Sequence, residues 1–242
     1  PFNRVEGDLE VSLDIADGQV RSAQVSSSLY RGFENMLIGR DPLDALVLVP
    51  RICGICSVAQ SAAAAAALAA AAGIAMPANG RLAQNLIQAT ENIADHLTHF
   101  YCFFMPDLAR EQYAGEPWHA AVAARFRAQR GAALAEFLPA RAGRLRVLGY
   151  LAGKWPHTRA LQPGGTTRSI TPTEKVRLNA VLREFRAFLE EAVFADALES
   201  VAGLSSWSAL MAWAALHCGD FATFLRAAAA LDLHRIGRAS DV

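Results

Sequence analysis

The chain has no excess charge of either sign: its 242 residues carry 23 Lys plus Arg and 23 Asp plus Glu. That balance gives a polyanion nothing to hold, so no nucleic-acid partner is expected. Cysteine is scarce. Cys53, Cys56, Cys102 and Cys218 are too few and too unevenly placed for a disulfide scaffold in a chain this long, and a reducing compartment is expected. Residues 57–76 form the one run apolar enough to raise the question of a membrane span. Alanine adds little to insertion, however, and Gln60 and Ser61 lie inside the run, so no span is expected. There is no internal repeat. The chain opens on Pro1 rather than methionine, so a trimmed start is expected and a targeting peptide stays open. The arginines between Arg125 and Arg146 read as a solvated helix face and loop, not a binding patch.

What is present reads as a helical body behind a small β element. Leu9, Val11, Leu13 and Ile15 alternate with polar residues, which predicts a half-buried strand. Asp17-Gly18 is a tight-turn pair, and the alternation resumes at Ala23, Val25 and Leu29. Asp41-Pro42 is a helix cap with proline at the first helical position. Leu43 to Val49 is short and apolar and stops at Pro50, and an alanine helix follows the cysteine loop to about Gly73. The spacing of Leu82, Leu86, Ala89, Ile93, Leu97, Phe100 and Phe104 predicts a helix over 81–104 with that stripe on a core. A loop over 105–120, a helix over 120–138 and a loop over 153–172 follow. Thr171-Pro172-Thr173-Glu174 is a capping box opening a helix to about Ala202, and two shorter helices follow Ser205 and Asp220. The expected fold class is mainly α (α+β): a long-helix bundle with a small N-terminal antiparallel hairpin, in a single domain over 1–242. Its β element spans about 5–30 and its helical body about 32–242.

The chemistry centres on Cys53-Gly54-Ile55-Cys56, set directly before the alanine helix. A thiolate at a helix start gains from unpaired N–H groups and the helix dipole. Gly54 lets the backbone bend, and the two sulfurs can converge on one point as soft ligands. Structural zinc needs a second ligand pair, and no second C-x-x-C exists. A thioredoxin-like redox pair needs strands where another long helix stands. A transition-metal centre with further ligands elsewhere, and two buried unreactive cysteines, both remain open on spacing alone. Glu6 and Glu34 flank the motif but read as surface carboxylates by themselves. His96 reads as a core-edge histidine. Glu116-Pro117-Trp118-His119 has the spacing of a di-iron motif but stands alone with a proline inside it.

Several stretches taken together carry more. Arg4-Val5-Glu6-Gly7, Arg31-Gly32-Phe33-Glu34, Gly39-Arg40-Asp41-Pro42 and Arg51-Ile52-Cys53-Gly54-Ile55-Cys56 resemble the large subunit of nickel–iron hydrogenases. So do Asp95-His96-Leu97-Thr98-His99-Phe100-Tyr101, Gly153-Lys154-Trp155-Pro156-His157 and Pro163-Gly164-Gly165. The resemblance implies a nickel held by four thiolates, two of them shared with an iron carrying CO and cyanide. It implies that Cys53 is a terminal nickel ligand and Cys56 a bridging one. It further implies that Glu6 is a proton-relay glutamate, Glu34 a ligand of a magnesium site, and His157 a residue near the interface with an iron–sulfur small subunit. Heterolytic cleavage of H2 needs an electrophilic metal and a nearby base, and thiolate sulfur followed by a carboxylate can serve as that base.

Three departures refine the resemblance. Gln60, one helical turn after Cys56, stands where many catalytic members carry histidine, and an amide cannot gain charge by protonation. Gln60 and Asp8 resemble the regulatory, hydrogen-sensing branch, which implies slow turnover and a signalling kinase; a cytoplasmic location is expected. Cys102 and the aromatics after it replace a histidine-bearing stretch. The family's second C-x-x-C is also missing, so the expectation is an N-terminal portion of a large subunit with the C-terminal portion absent. Such a portion is expected to be inactive alone and to expose an apolar face. The expected function is hydrogen sensing or uptake by the intact protein, with maturation chaperones among its partners. The alternative is a maturation scaffold that holds the iron–cyanide–carbonyl unit through Cys53 and Cys56.

Overall fold

A computed structural model describes residues 9–27 and 29–236. Strands β1 (Leu9–Ala16) and β2 (Gln19–Ser27) pair antiparallel around Asp17-Gly18, both in the left-handed region that such a turn demands. The register places Val11 opposite Val25, Leu13 opposite Ala23 and Ile15 opposite Val20, so apolar residues share one face. That face is open among the described residues: Leu13 is 51% and Val25 67% exposed. The expected half-buried strand therefore has the predicted pattern without the cover.

The helical body begins with α1 (Phe33–Leu37) and α2 (Ala45–Leu48). The short turn between them, Pro42–Asp44, is capped by Asp41, whose side chain accepts from the Leu43 N–H. After the cysteine loop come α3 (Ser57–Ala71) and α4 (Ala78–Thr98). The chain then winds a π-helical stretch, His99–Phe104, into α5 (Met105–Leu108). Helices α6 (His119–Phe126) and α7 (Ala133–Ala152) replace the single helix expected over 120–138. Pro139 sits inside α7, exposed, and the helix runs through it, beyond the expected end at 138. The short pair β3 (Leu161–Gln162) and β4 (Gly165–Thr166) leads to α8 (Pro172–Phe188), which opens with the predicted capping box. A second π-helical stretch, Leu189–Phe194, and a left-handed Ala195 break the expected 173–202 helix, leaving α9 (Leu198–Ala202) separate. Helices α10 (Trp207–Leu216) and α11 (Asp220–Ala230) match the two shorter helices expected at the end.

Two larger cores organise the body. In the first, Val58 of α3, Ile87 of α4, Val147, Leu148 and Leu151 of α7 and Leu178 and Val181 of α8 pack together directly behind the cysteine loop. The second gathers Tyr101, Met105, Val122, Phe126, Phe137 and Val193, with Tyr101 stacked on Phe137 at 4.8 Å between centroids. The buried stripe of α4 is Ile87, Thr90, Glu91 and Ala94; of the predicted stripe, Leu82 and Leu86 are exposed, while Leu97, Phe100 and Phe104 pack on the second core. Two buried polar positions hid the true stripe, because their bonds are made internally: Thr90 Oγ1 donates to Leu86 O, and Glu91 serves α3. Of the arginines from 125 onward, Arg127, Arg130 and Arg146 are exposed as expected, but three others are engaged inside the fold. Arg125 spans Glu136 and buried Asp220, Arg141 lies over the Trp155 ring, and Arg144 is buried over Phe185. No helix among the described residues is long and apolar enough to cross a membrane.

Candidate metal centre

The cysteine loop is held from both sides by backbone contacts. Arg31 lies over the Phe33 ring at 5.0 Å and donates to the carbonyls of Arg51 and Ile52. From the other side comes the loop at 155–157. The ring Nδ1 of His157 is 2.9 Å from Pro50 O. A carbonyl only accepts, so Nδ1 carries the proton. The His157 backbone N–H donates to Ser57 Oγ at 3.1 Å. Its Cε1 would lie 3.8 Å from a Cβ at Gly54, an ordinary contact, and Gly54 is outside the left-handed region. The bend between the cysteines therefore does not depend on glycine, contrary to the sequence expectation. Arg31, Pro50 and His157 shape it instead.

The two thiols meet. The Cys56 N–H points at Cys53 Sγ, 3.4 Å away, and the two side chains share a hydrogen bond. Gln60, one turn along α3, donates from Nε2 to Cys56 Sγ at 3.8 Å. Burial pushes the Cys56 thiol up to about 11, the Cys53 contact adds to the rise, and the Gln60 amide opposes it. This overturns part of the sequence reasoning. Cys56 is the N-cap residue of α3, but its side chain makes no capping bond.

The seat at the start of α3 belongs to Glu91, a residue that sequence reasoning missed. Its carboxylate accepts from the Val58 N–H at 2.9 Å, the Ala59 N–H at 3.1 Å, Ser57 Oγ at 3.4 Å and the Trp155 indole at 2.9 Å. Glu91 is 3% exposed. Burying it costs several kcal/mol. Hydrogen bonds to a charged group contribute about 1.5–3 kcal/mol each, so four donors offset that cost. The signal was available in principle: a helix opening on cysteine lacks a Ser, Thr or Asp cap, and an acceptor has to come from elsewhere.

The structure brings Cys53, Cys56, Gln60 and His157 into one neighbourhood. Glu6 and Asp8 lie outside the described residues. Glu34 is exposed in the first turn of α1. Cys102 packs on the second core and Cys218 is exposed between α10 and α11. No group of three or more His, Cys, Asp or Glu side chains able to hold a metal forms among the described residues. Two converging soft donors fit half of a thiolate set for nickel or iron. A lone exposed carboxylate is a thin donor set for magnesium.

Residues 31–109 match the family model described as nickel-dependent hydrogenase. Over 93% of its length, the chain is 29% identical to the periplasmic [NiFeSe] hydrogenase large subunit of Desulfomicrobium baculatum, covering 48% of that protein. It is 37% identical over 101 residues to the hydrogenase-2 large chain of Escherichia coli K12 (42% of this chain, 18% of that one). Over 102 residues it is 36% identical to the uptake hydrogenase large subunit of Bradyrhizobium diazoefficiens (42% and 17%). Among solved structures, the reduced Ni-Fe-Se hydrogenase from D. vulgaris Hildenborough superposes with a TM-score of 0.63 at 30% identity, covering 78% of this chain and 40% of that one. The chain thus spans about half the length, or less, of the relatives it matches over most of itself.

Proposed function

We propose that this chain, a relative of nickel-dependent hydrogenase large subunits, supplies the N-terminal half of a nickel–iron site. In this reading Cys53 would hold nickel as a terminal thiolate, and Cys56 would be a thiolate ligand of both nickel and iron. The observation that carries it is the meeting of the two thiols on one loop, with the Gln60 amide on Cys56 Sγ. When bound, the metal pair supplies the centre at which H2 is split heterolytically. The residues of this chain do the rest. Arg31 and His157 fix the loop so that both sulfurs face one point. Glu6 carries the released proton outward, and His157 lies toward an iron–sulfur small subunit.

Gln60 favours the hydrogen-sensing branch, with a signalling partner and a cytoplasmic setting. Its amide holds Cys56 Sγ but offers no exchangeable charge, unlike an imidazole at the same reach. In the full-length protein, Gln60→His is expected to raise H2-dependent dye reduction and weaken signalling. Unchanged kinetics would remove position 60 from the account. The scaffold reading is tested alongside. Infrared bands of metal-bound CO and cyanide together with nickel by elemental analysis support the hydrogenase, and the same bands without nickel support a scaffold.

A further inference from the structure

Glu91 has no place in the reading above, yet its carboxylate accepts from Ser57, Val58 and Ala59, directly after the cysteine loop, and from Trp155. Helix α3 begins at Ser57, so its free N–H groups form the nearest positive end to Cys56. A thiolate at the N-cap would ordinarily turn toward them. Here the Val58 and Ala59 N–H groups are both occupied by the Glu91 carboxylate, which arrives from α4 across the core. Two of the donors at this end are thus taken, and the seat already holds a carboxylate. Cys56 Sγ faces Cys53 and Gln60 instead. The same carboxylate binds the Trp155 indole, and Ser57 Oγ links it to the His157 backbone. One buried group therefore ties α3, α4 and the 155–157 loop together at the point where the sulfurs emerge.

We propose that Glu91 is a positioning residue for the cysteine pair: by filling the start of α3 it keeps the Cys56 sulfur turned to Cys53, so that both sulfurs bind one cation. This rests on the reading of Cys53 and Cys56 as a shared metal-binding pair. The probe is Co2+ added to the full chain, read by its thiolate-to-cobalt charge-transfer absorption. Wild type is expected to give the band, with half the intensity in Cys53→Ser and in Cys56→Ser. Glu91→Gln keeps the volume and one acceptor oxygen but removes the charge. Its band is expected to fall to the single-cysteine level, with Co2+ affinity about tenfold weaker, in a chain whose far-ultraviolet circular dichroism stays that of wild type. A purely structural role would lower the melting temperature and leave the band of the folded fraction intact. A wild-type band and affinity in Glu91→Gln would overturn the proposal. Should that variant fail to fold, Trp155→Phe removes one donor from Glu91 and leaves the amide bonds in place. A several-fold loss of Co2+ affinity there supports positioning, and wild-type affinity refutes it. No band in wild type would instead defeat the two-sulfur premise itself.

Discussion

Gly54 separates the two cysteines, and intuition makes it indispensable. Its backbone is one that any residue adopts, and an added Cβ would only touch His157 at 3.8 Å. Gly54→Ala is therefore expected to move the thermal midpoint by less than about 2 °C, measured by circular dichroism. A larger drop would mean that the loop is strained in a way its dihedrals do not show. At this scale the sequence was legible where chemistry repeats at short range. The C-x-x-C spacing and Gln60 one turn later sit where their spacing says. Glu91 was not legible, because its partners are Ser57, Val58 and Ala59 on another helix and it interrupts an apolar stripe with a charge. The positive end of α3 does stabilise a negative group, but that group is a carboxylate from α4 rather than the thiolate beside it.

Among the elements, the ends of helices were easier to read than their interiors. The capping box at Thr171 and Glu174 and the cap at Asp41 are local bargains between neighbours in sequence, and both are present. The π-helical stretches at His99–Phe104 and Leu189–Phe194 were not readable, since aromatic and aliphatic residues continue through them without a breaker. Helix α7 passes the expected end at 138 and continues through Pro139, which sits on an exposed face. That helix and α6 are joined to α11 through Arg125, which binds Glu136 at 2.7 Å and the buried Asp220 at 2.7 Å. Tyr101 adds a hydrogen bond to Asp220 at 2.6 Å. The Arg125 hydrogen bonds hold Glu136 below the usual carboxylate range. A depressed carboxylate stabilises the fold above its unfolded pKa and loses that contribution as the pH falls through the folded value. Denaturant melts of wild type and Glu136→Gln are thus expected to differ at neutral pH and to converge as the pH drops below about 4. A constant difference across that window would show that the pair does not couple to folding.

For the molecule as a whole, the apolar surface is the notable feature. Leu13, Ile15, Val20 and Val25 on the hairpin and Leu82 and Leu86 on α4 are all more than a third exposed. The relative matched over most of this chain is about twice its length. The hairpin pairs mainly with itself among the described residues, and a two-stranded ribbon has little stability of its own. Leu13→Ser with Ile15→Thr is therefore expected to reduce self-association in light scattering and leave the melt of the helical body unchanged. A lowered melting temperature would show that the hairpin braces the body.

The proposed site requires two sulfurs sharing one cation. Nickel K-edge X-ray absorption of the full chain loaded with Ni2+ reads that directly. The predicted result is two sulfur neighbours in wild type and one in each of Cys53→Ser and Cys56→Ser. A wild-type spectrum with only oxygen and nitrogen around nickel would contradict it.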